Sequence, residues 1–531
     1  MSAEIDFSLP ERVDIYDTTL RDGSQQEGIS LTVDDKLRVA EQLDRLGVAF
    51  IEGGWPGANP KDVEFFRRAP KELLLDTSTL VAFGSTRRPN GDVSTDETLR
   101  NLLDSETKAV CLVAKSWDYH VLEALRTSLD EGVRMAFESV QFLVNHDRRV
   151  FFDAEHFFDG FKHNSKYALE VLRAAQDAGA STLVLCDTNG SALPHEVEGV
   201  IKTVRAATET EIGVHFHNDS GCATANALMS VEHGVTHVQG CINGYGERTG
   251  NTDLSVTIPN LAIKMGIDVI PREHIKLLTS VSRHVAEVIN IGLDPQKPYV
   301  GSSSFTHKAG LHVSAIARRK DAYEHINPEL VGNGTRFVVS EMAGRSTIAI
   351  KAEEIGVELN SQDIARVLGQ LKTLEHQGYH FETADGSMEL LMREATGWKQ
   401  NFFEFESFRV INDCRVNEDP VTEATVKLWA NGERLIATAE GNGPVNALDA
   451  ALRKALTPLF EKLSIMHLTD FKVRVLDSSS GTGAKVRVLI DSSDPDGSWS
   501  TIGVSPNIIE ASWKALQDSI VVGLIRCASQ T

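Results

Sequence analysis

Eight short apolar runs, separated by longer stretches of helical periodicity, constrain the fold of this chain more than any other feature of its sequence. The runs are rich in Val, Ile, Leu and Phe, and they begin near Val13, Val48, Thr77, Lys108, Arg149, Ser181, Glu211 and Thr236. Short buried strands that alternate with helices are typical of parallel α/β folds. Eight such units within about 260 residues match the size of a (β/α)8 TIM barrel.

The stretches between the runs carry helix signals. In LTVDDKLRVAEQLDRLG, apolar residues from Val33 to Leu46 fall on one stripe, and Gly47 ends the pattern. A count of strands does not establish closure, so a doubly wound open sheet is the alternative fold. The barrel is the more specific prediction, because it makes the eighth strand a neighbour of the first.

The rhythm of the sequence changes after residue 270. Residues 271–400 contain helical stretches around a loop-rich section, which predicts a mostly helical linker subdomain. In residues 401–531 alternating strand patterns precede a helical stretch twice, which indicates a duplicated α+β module. We therefore predict three domains, a barrel in 1–270, the linker in 271–400 and a C-terminal α+β domain in 401–531.

Charge and composition limit the classes of partner. The chain has 53 Lys and Arg against 75 Asp and Glu, a net charge of −22, which argues against nucleic acid and membrane surfaces and favours small molecules. No apolar run approaches the ~20 residues of a membrane helix, and the start MSAEIDFSLPERV is not typical of a signal peptide, so a cytoplasmic location is expected. The six cysteines form no C-x-x-C pair, which favours reduced thiols over disulfides or a thiolate zinc site.

Two histidines share one face of the seventh predicted strand. In EIGVHFHNDSG, His215 and His217 are two residues apart and project to the same side at the end of the strand. Asp22 follows the first strand, and NGYGERTGN after the eighth strand ends in Asn251. Strands seven, eight and one are neighbours in a barrel, so these side chains are expected to converge. The mixed N/O set suits Zn²⁺, Mn²⁺, Co²⁺ or Mg²⁺, with positions open for substrate and water.

Other polar residues follow neighbouring strands of the predicted barrel. Arg21 precedes Asp22, and its guanidinium can stabilise an oxyanion on a bound substrate; the alternative is an ordinary ion pair with a nearby acid. Glu155 ends the fifth strand, and Thr188 follows the sixth. The Thr188 hydroxyl can orient a carboxylate, although threonine at a strand end is more often a cap. The Gly-rich GYGERTG lacks the spacing of a phosphate-binding loop.

Four motifs occur in the order and spacing of a known family: DTTLRDG, HFHND, NGYGERTGN and SFTHKAGLHVSAI. Together they resemble the isopropylmalate, homocitrate and citramalate synthases, metal-dependent barrels that condense acetyl-CoA with a 2-oxo acid. The resemblance extends over nearly the whole chain. The segments LRDGSQQEGISLTVDDK, EGGWPGANPKD and DAEHFFDG are most similar to the members that use pyruvate and form (R)-citramalate. The alternative is an isopropylmalate or homocitrate synthase that uses another 2-oxo acid.

The resemblance also implies roles for individual residues and a divalent metal ion, Mn²⁺, Mg²⁺ or Zn²⁺, with acetyl-CoA as co-substrate. The implied metal ligands are Asp22, His215, His217 and Asn251. Arg21 would hold the ketone oxygen of the acceptor and Thr188 its carboxylate, while Glu155 and Glu247 would complete the polar rim. Trp55 and Asp153 depart from the pattern of the isopropylmalate and homocitrate synthases, so their side-chain pocket does not transfer directly.

Further implications concern the linker and the general base. His312 and Tyr323 match a pair that reaches over a barrel mouth, which in a homodimer or higher homo-oligomer is expected to be the partner's. For removal of the methyl proton of acetyl-CoA, the region of His312 is favoured over Glu155, and the sequence leaves the choice open. The segments EGNGPVNALDAAL and WSTIGVSPNIIEAS resemble an amino-acid-sensing regulatory domain, which implies feedback inhibition, with isoleucine as the expected effector.

Two other functional classes fit the barrel less well. Lyases of the same type carry a cysteine in the loop after the eighth strand, and residues 244–250 contain none. A catalytically silent amino-acid sensor would lack metal ligands, whereas all four candidate positions are filled.

Overall fold

The computed structural model describes residues 9–308, 315–316, 319–339, 343–414, 420–476, 481 and 483–528. The chain divides into two compact units. The first comprises Met1–Phe305 and Ile326–Gly334, and the second comprises Thr306–His325 and Thr335–Thr531. None of the helices in the described ranges combines the length and the apolar character that a membrane crossing requires.

The first unit contains a closed barrel of eight parallel strands. They are β1 Asp14–Asp17, β2 Phe50–Gly54, β3 Thr79–Ser85, β4 Ala109–Lys115, β5 Arg149–Glu155, β6 Thr182–Asp187, β7 Glu211–Phe216 and β8 His237–Gly240. Asp17 of β1 lies opposite Ile51 on one side and Gly240 on the other, so the sheet closes. The (β/α)8 prediction is confirmed, and the doubly wound alternative is wrong. Each strand begins within two residues of its predicted start.

A helix follows each strand. These helices are α1 Val33–Leu46, α2 Pro60–Glu72, α3 Glu97–Asp104, α4 Leu129–Val144, α5 Phe157–Asp177, α6 Pro194–Ala207, α7 Ala223–Glu232 and α8 Leu254–Pro259. A capping box between Thr32 and Asp35 begins α1, and Gly47 ends it with a left-handed φ of 95°. Helix α5 is kinked at Asn164, where the Oδ1 atom caps the following turn by accepting the Tyr167 amide. Helix α1 therefore spans the apolar stripe, and ends at the glycine, that the sequence pattern predicted.

The lower part of the barrel interior is packed with aromatic side chains. Tyr16, Phe50 and Phe151 form a cluster that is separate from the larger core between the strands and the helices. His237 of β8 is 1% exposed and lies among these rings, with its centroid 5.1 Å from that of Phe151. This packed floor leaves the carboxyl ends of the strands as the place for a site.

The first unit also contains α9 Leu278–Ile289, which packs against α1. In the described part of the second unit, a two-stranded sheet and three α-helices with both ends among the described residues precede the C-terminal module. They are β9 Thr306–His307, β10 Arg336–Phe337, α10 Arg345–Glu354, α11 Ser361–Gln377 and α12 Asp385–Ala395. The described part of the predicted linker is thus mostly helical.

The C-terminal module repeats one arrangement twice. Its elements are β11 Glu404–Asp413, β12 Val421–Ala430, β13 Glu433–Gly441, α13 Pro444–Leu456, β14 His467–Val475, β15 Val486–Asp494, β16 Gly497–Ser505 and α14 Ile508–Ala528. Each half is a three-stranded antiparallel sheet followed by a helix. The predicted α+β duplication is confirmed.

Helix α12 is fastened to the C-terminal module. The Ser387 hydroxyl donates to Asp518 Oδ2 at 2.7 Å and accepts the Ile502 amide at 3.0 Å. The Asp385 carboxylate accepts the Ser500 amide at 2.8 Å, and Leu390 belongs to the same hydrophobic core as α13 and α14. These contacts join the last helix before residue 400 to strand β16 and helix α14.

Candidate active site

Three predicted metal ligands converge where β1 and β7 end. The ligating atoms of Asp22, His215 and His217 lie within 4.8 Å of one another, and all three residues are buried. Asp22 Oδ2 is 3.1 Å from His215 Nε2 and 3.8 Å from His217 Nε2, and the two Nε2 atoms are 3.4 Å apart. Two imidazoles and a carboxylate that face one point are the donor set of a divalent-cation site.

Asn251 adds an oxygen next to this cluster. Its backbone forms an isolated antiparallel bridge with His217, and its Nδ2 donates to Cys241 Sγ at 3.4 Å. Asn251 Oδ1 is buried and has no hydrogen-bond partner among the described residues. Gly246, with a φ of 147°, allows this packing, because a Cβ there would lie 2.7 Å from Asn251 Nδ2. A buried carbonyl oxygen without a donor, beside this donor set, fits a cation.

The protonation states of the cluster suit a cation as well. Burial by itself would raise the pKa of Asp22, but Arg21 and His215 outweigh it and hold that pKa well below its usual range. Burial, aided by His215, lowers the pKa of His217 to about 3. Burial also opposes the charged form of His215, yet the Asp22 carboxylate raises its pKa above the ordinary value. An ionised Asp22 and a neutral His217 are ready to ligate, and at His215 a proton competes with a cation.

Arg21 is held by groups that the sequence interpretation missed. Its Nε donates to Glu52 Oε1 at 2.5 Å, and its guanidinium carbon lies 3.9 Å from the centroid of the Phe83 ring. The other oxygen of Glu52 accepts the Tyr16 hydroxyl at 2.6 Å. Glu52 has no solvent exposure, so Arg21 is held between an acid and an aromatic face. The signal was present in FIEGG, where Glu52 is an acid in an apolar strand on the same face as Phe50.

Seven of the predicted site residues line one cavity of about 530 Å³ at the carboxyl ends of the strands. They are Arg21, Asp22, Glu155, Thr188, His215, His217 and Glu247. Trp55, Phe83 and Val113 supply apolar wall, with Trp55 and Phe83 in an edge-to-face contact at a centroid distance of 5.3 Å. The cavity therefore combines the donor cluster, the Arg21 cation and a partly apolar wall.

The rim residues differ in how free their polar groups are. The carboxylate of Glu155 is paired with the ammonium group of Lys115. Thr188 Oγ1 accepts the His156 amide at 2.9 Å, which leaves its own proton for a ligand. Glu247 is half exposed, and its carboxylate lies 3.6 Å from Arg248. Of these three residues, Thr188 is the one whose side chain has a hydroxyl donor, and it lines the cavity.

Two predicted residues come from the linker. His312 lies outside the described residues. Tyr323 belongs to the second unit, where it is 46% exposed.

Comparison with protein-family models defines the class. Residues 12–285 match the HMGL-like model, residues 299–379 match the homocitrate synthase post-HMGL domain-like model, and residues 382–523 match the LeuA allosteric (dimerisation) domain. The fold and the donor cluster thus define an HMGL-like barrel to which a LeuA-type module is attached.

Curated relatives narrow the class. The (R)-citramalate synthase of Aquifex aeolicus is 50% identical over 522 residues, 98% of this chain and 99% of that one. The (R)-citramalate synthase of Streptomyces coelicolor is 50% identical over 521 residues, 98% of each chain. The "Probable 2-isopropylmalate synthase" of Methanopyrus kandleri is 32% identical over 509 residues, 96% of this chain and 97% of that one. The chain belongs to the (R)-citramalate synthase family.

Proposed function

We propose that this protein catalyses the condensation of acetyl-CoA with pyruvate and water to give (R)-citramalate and CoA. A bond forms between the acetyl methyl carbon and the ketone carbon of pyruvate, the methyl group loses a proton to a base, and water cleaves the thioester. One observation carries the proposal. Arg21 and the Asp22–His215–His217 cluster meet in one cavity of a chain that is 50% identical to (R)-citramalate synthases over 98% of its length.

The donor cluster would hold a divalent metal ion, with Mn²⁺, Mg²⁺ and Zn²⁺ as the candidates. Its ligands would be Asp22, His215 and His217, with the Oδ1 atom of Asn251 as a further donor. Once bound, such an ion supplies Lewis-acid polarisation of the acceptor carbonyl. The buried, ionised Asp22 is the anion that keeps the cation in the site.

Arg21 and Thr188 would orient the acceptor. Arg21 remains protonated at any pH of interest, so it places a permanent positive charge where the ketone oxygen becomes an alkoxide. Glu52 fixes the direction of this guanidinium through Nε, which leaves its outer nitrogens for the substrate. The Thr188 hydroxyl would donate to the carboxylate of pyruvate. Together they set the face of the ketone that the acetyl carbon attacks.

Removal of the methyl proton is assigned to the region of His312 rather than to Glu155. The carboxylate of Glu155 is engaged by the ammonium group of Lys115, so it is not free to approach the methyl group of acetyl-CoA. Glu155 and Glu247 would instead shape the polar rim around the acyl donor. Tyr323 and His312 would act on the barrel of a partner subunit, which makes the active unit a homodimer or a higher homo-oligomer.

The bulk of the side chains in the cavity wall favours pyruvate over larger acceptors. Trp55 and Phe83 are bulky side chains in edge-to-face contact at the cavity wall. The relative named as an isopropylmalate synthase is also less similar, at 32% identity against 50%. A 2-oxo acid with a branched side chain remains the second candidate acceptor.

The C-terminal module would be regulatory. Its match to the LeuA allosteric (dimerisation) domain supports effector binding and subunit association. We assign residues 401–531 to this role, residues 271–400 to the linker and residues 1–270 to catalysis. Isoleucine is the proposed effector, because citramalate is a precursor from which a branched-chain amino acid can be built. Soluble substrates and an acidic surface fit a cytoplasmic location.

Release of free CoA with a panel of 2-oxo acids tests the proposal. The panel contains pyruvate, 2-oxobutyrate, 2-oxoisovalerate and 2-oxoglutarate, each with acetyl-CoA, and chiral chromatography identifies the citramalate enantiomer. Each extra methylene in a fitted pocket shifts selectivity by about 10–200-fold, so kcat/KM for pyruvate should exceed that for 2-oxoisovalerate by at least about tenfold. The reverse order would refute pyruvate as the acceptor.

A further inference from the structure

The cations that line the active-site cavity are not equivalent. Its lysine and arginine side chains are those of Arg21, Arg87, Arg88 and Lys115. Glu52 pairs with Arg21, Glu155 pairs with Lys115, and Arg87 lies 2.6 Å from both Glu131 and Glu138. Arg88 is exposed, and within the described residues no carboxylate lies within 4.0 Å of its guanidinium. This charge is available to a ligand.

The backbone of Arg88 is fixed although its side chain is exposed. Its amide donates to Asp96 Oδ2 at 3.0 Å, and its carbonyl accepts Nη1 of the buried Arg87 at 3.1 Å and the amide of Gly91 at 3.0 Å. Asp96 is itself fixed as the N-cap of α3. Pro89 follows and restricts the chain further. A fixed backbone that carries an available guanidinium is typical of a residue that recognises an anion.

We infer that Arg88 binds the phosphate groups of the acyl donor, at the nucleotide end of acetyl-CoA. The inference rests on the proposed function, which requires the thioester to lie near Arg21 at the inner end of the cavity that Arg88 also lines. Coenzyme A is a polyanion, and a chain with a net charge of −22 repels it unless a local cation compensates. A guanidinium matches phosphate oxygens with two parallel hydrogen bonds.

Truncated acyl donors separate this role from a role in chemistry. Steady-state kinetics are measured at saturating pyruvate with acetyl-CoA or acetyl-pantetheine varied, and then at saturating acetyl-CoA with pyruvate varied. Acetyl-pantetheine has the same thioester arm but no phosphates and no nucleotide. The variants are Arg88→Ala, Arg88→Lys and the control Arg45→Ala, an exposed arginine on α1 outside the cavity. Isothermal titration of CoA itself into each protein gives a readout that does not depend on turnover.

Loss of a charge-assisted pair should raise the KM for acetyl-CoA by about 10–100-fold in Arg88→Ala and weaken CoA binding equally. The kcat, the KM for pyruvate and the kcat/KM for acetyl-pantetheine should stay near wild type. Arg88→Lys should be intermediate, and Arg45→Ala unchanged.

Three results would overturn the inference: unchanged CoA binding by Arg88→Ala, equal losses with both thioesters, or a raised KM for pyruvate. Failure of the proposed function is recognised separately, because the wild-type protein would then not release CoA from acetyl-CoA with any 2-oxo acid. In that case CoA binding by the wild type and Arg88→Ala still decides whether Arg88 meets the phosphates.

Discussion

Gln239 Oε1 accepts a 2.9 Å hydrogen bond from His215 Nδ1, and Gln239 Nε2 donates to Asp153 Oδ1 at 3.0 Å. All three residues are buried. Because Nδ1 is the donor, Nε2 is the atom of His215 that faces Asp22, and it can bind either a proton or a cation. A lone pair and a carboxylate repel each other unless a proton or a cation lies between them, so this pair of bonds prepares His215 as a ligand.

We therefore expect Gln239→Leu to weaken binding of Mn²⁺ about 10–100-fold, because loss of the Gln239 acceptor releases the His215 ring from the orientation in which Nε2 faces the metal. Isothermal titration of the metal-free protein measures the effect, and thermal unfolding of both metal-free proteins shows whether the barrel is intact. An unchanged dissociation constant in a folded variant would mean that Gln239 does not position the ligand.

The second prediction concerns Glu52, which holds both Arg21 and the Tyr16 hydroxyl. Glu52→Gln keeps the shape of the side chain but removes the counter-ion of Arg21, so the guanidinium should turn toward Asp22, 3.6 Å away. We expect kcat to fall about 10–100-fold, as for the loss of one aligned donor to a developing oxyanion. Tyr16→Phe, which keeps the ion pair, is the matched control. Equal effects of the two changes would assign the loss to packing rather than to Arg21.

The third prediction is a pH dependence of stability that originates in the barrel floor. Both ring nitrogens of His237 are buried without a partner among the described residues, and burial, with a contribution from Arg149, lowers its pKa to about 3. The unfolded chain takes up a proton below about pH 6.5, whereas the folded chain does so only near pH 3. The contribution of His237 to the free energy of unfolding therefore has its full value above pH 6.5. It falls by about 1.4 kcal/mol per pH unit as the pH drops from 6.5 toward 3, because only the unfolded chain takes up the proton in this range.

Urea unfolding at pH 7.5 and pH 5 measures this effect. His237→Leu should reduce the difference between the two pH values by about 2 kcal/mol, because the slope applies over about 1.5 units below 6.5. If wild type and variant lose the same free energy of unfolding between pH 7.5 and pH 5, groups other than His237 cause the pH dependence.

The sequence was sufficient for the architecture because periodicity and turn chemistry are local. The runs that begin at Val13 and Glu211 and the stop at Gly47 each depend on a few adjacent residues, and all three were placed correctly. The predicted proximity of His217 and Asp22 is also correct. Both residues follow strand ends, and a closed barrel makes those ends neighbours.

The supporting residues of the site could not be predicted in the same way. Gln239 and Glu52 act through side chains that meet across the barrel. The acid within FIEGG marks Glu52 as unusual, but the identity of its partners, like that of the partners of Gln239, has no short-range signal. That Arg88 has no carboxylate partner among the described residues is likewise visible only once the partners of Arg87 and Lys115 are known. Sequence patterns locate groups that touch a ligand, whereas the residues that hold those groups depend on the packed interior.

The fourth prediction concerns the coupling of the C-terminal module. Truncation near residue 400 would strip α12 of its packing, because Leu390 shares a core with α14. Ser387→Ala is a sharper change, since it breaks the bonds to Ile502 and Asp518 and leaves the module in place. We expect near-normal turnover and inhibition by isoleucine reduced several-fold, in line with coupling energies of about 1–3 kcal/mol.

Thr396→Ala is the matched control, because the hydroxyl of this residue, at the end of α12, donates to the carbonyl of Arg393 in that helix and not to the C-terminal module. Leucine and valine are included to test the identity of the effector. Full inhibition of Ser387→Ala by isoleucine would place the coupling elsewhere.

We propose that condensation of acetyl-CoA with pyruvate depends on a metal ion bound by the Asp22–His215–His217 cluster. The most direct test measures bound metal and CoA release in the same samples, for wild type and Asp22→Asn, after chelation and after addition of Mn²⁺. The wild type should lose activity on chelation and regain it with about one metal ion per chain, whereas Asp22→Asn should fold, retain little metal and release almost no CoA. Turnover near the wild-type level in Asp22→Asn, or full activity of the chelated wild type, would show that the cluster does not hold an essential metal ion.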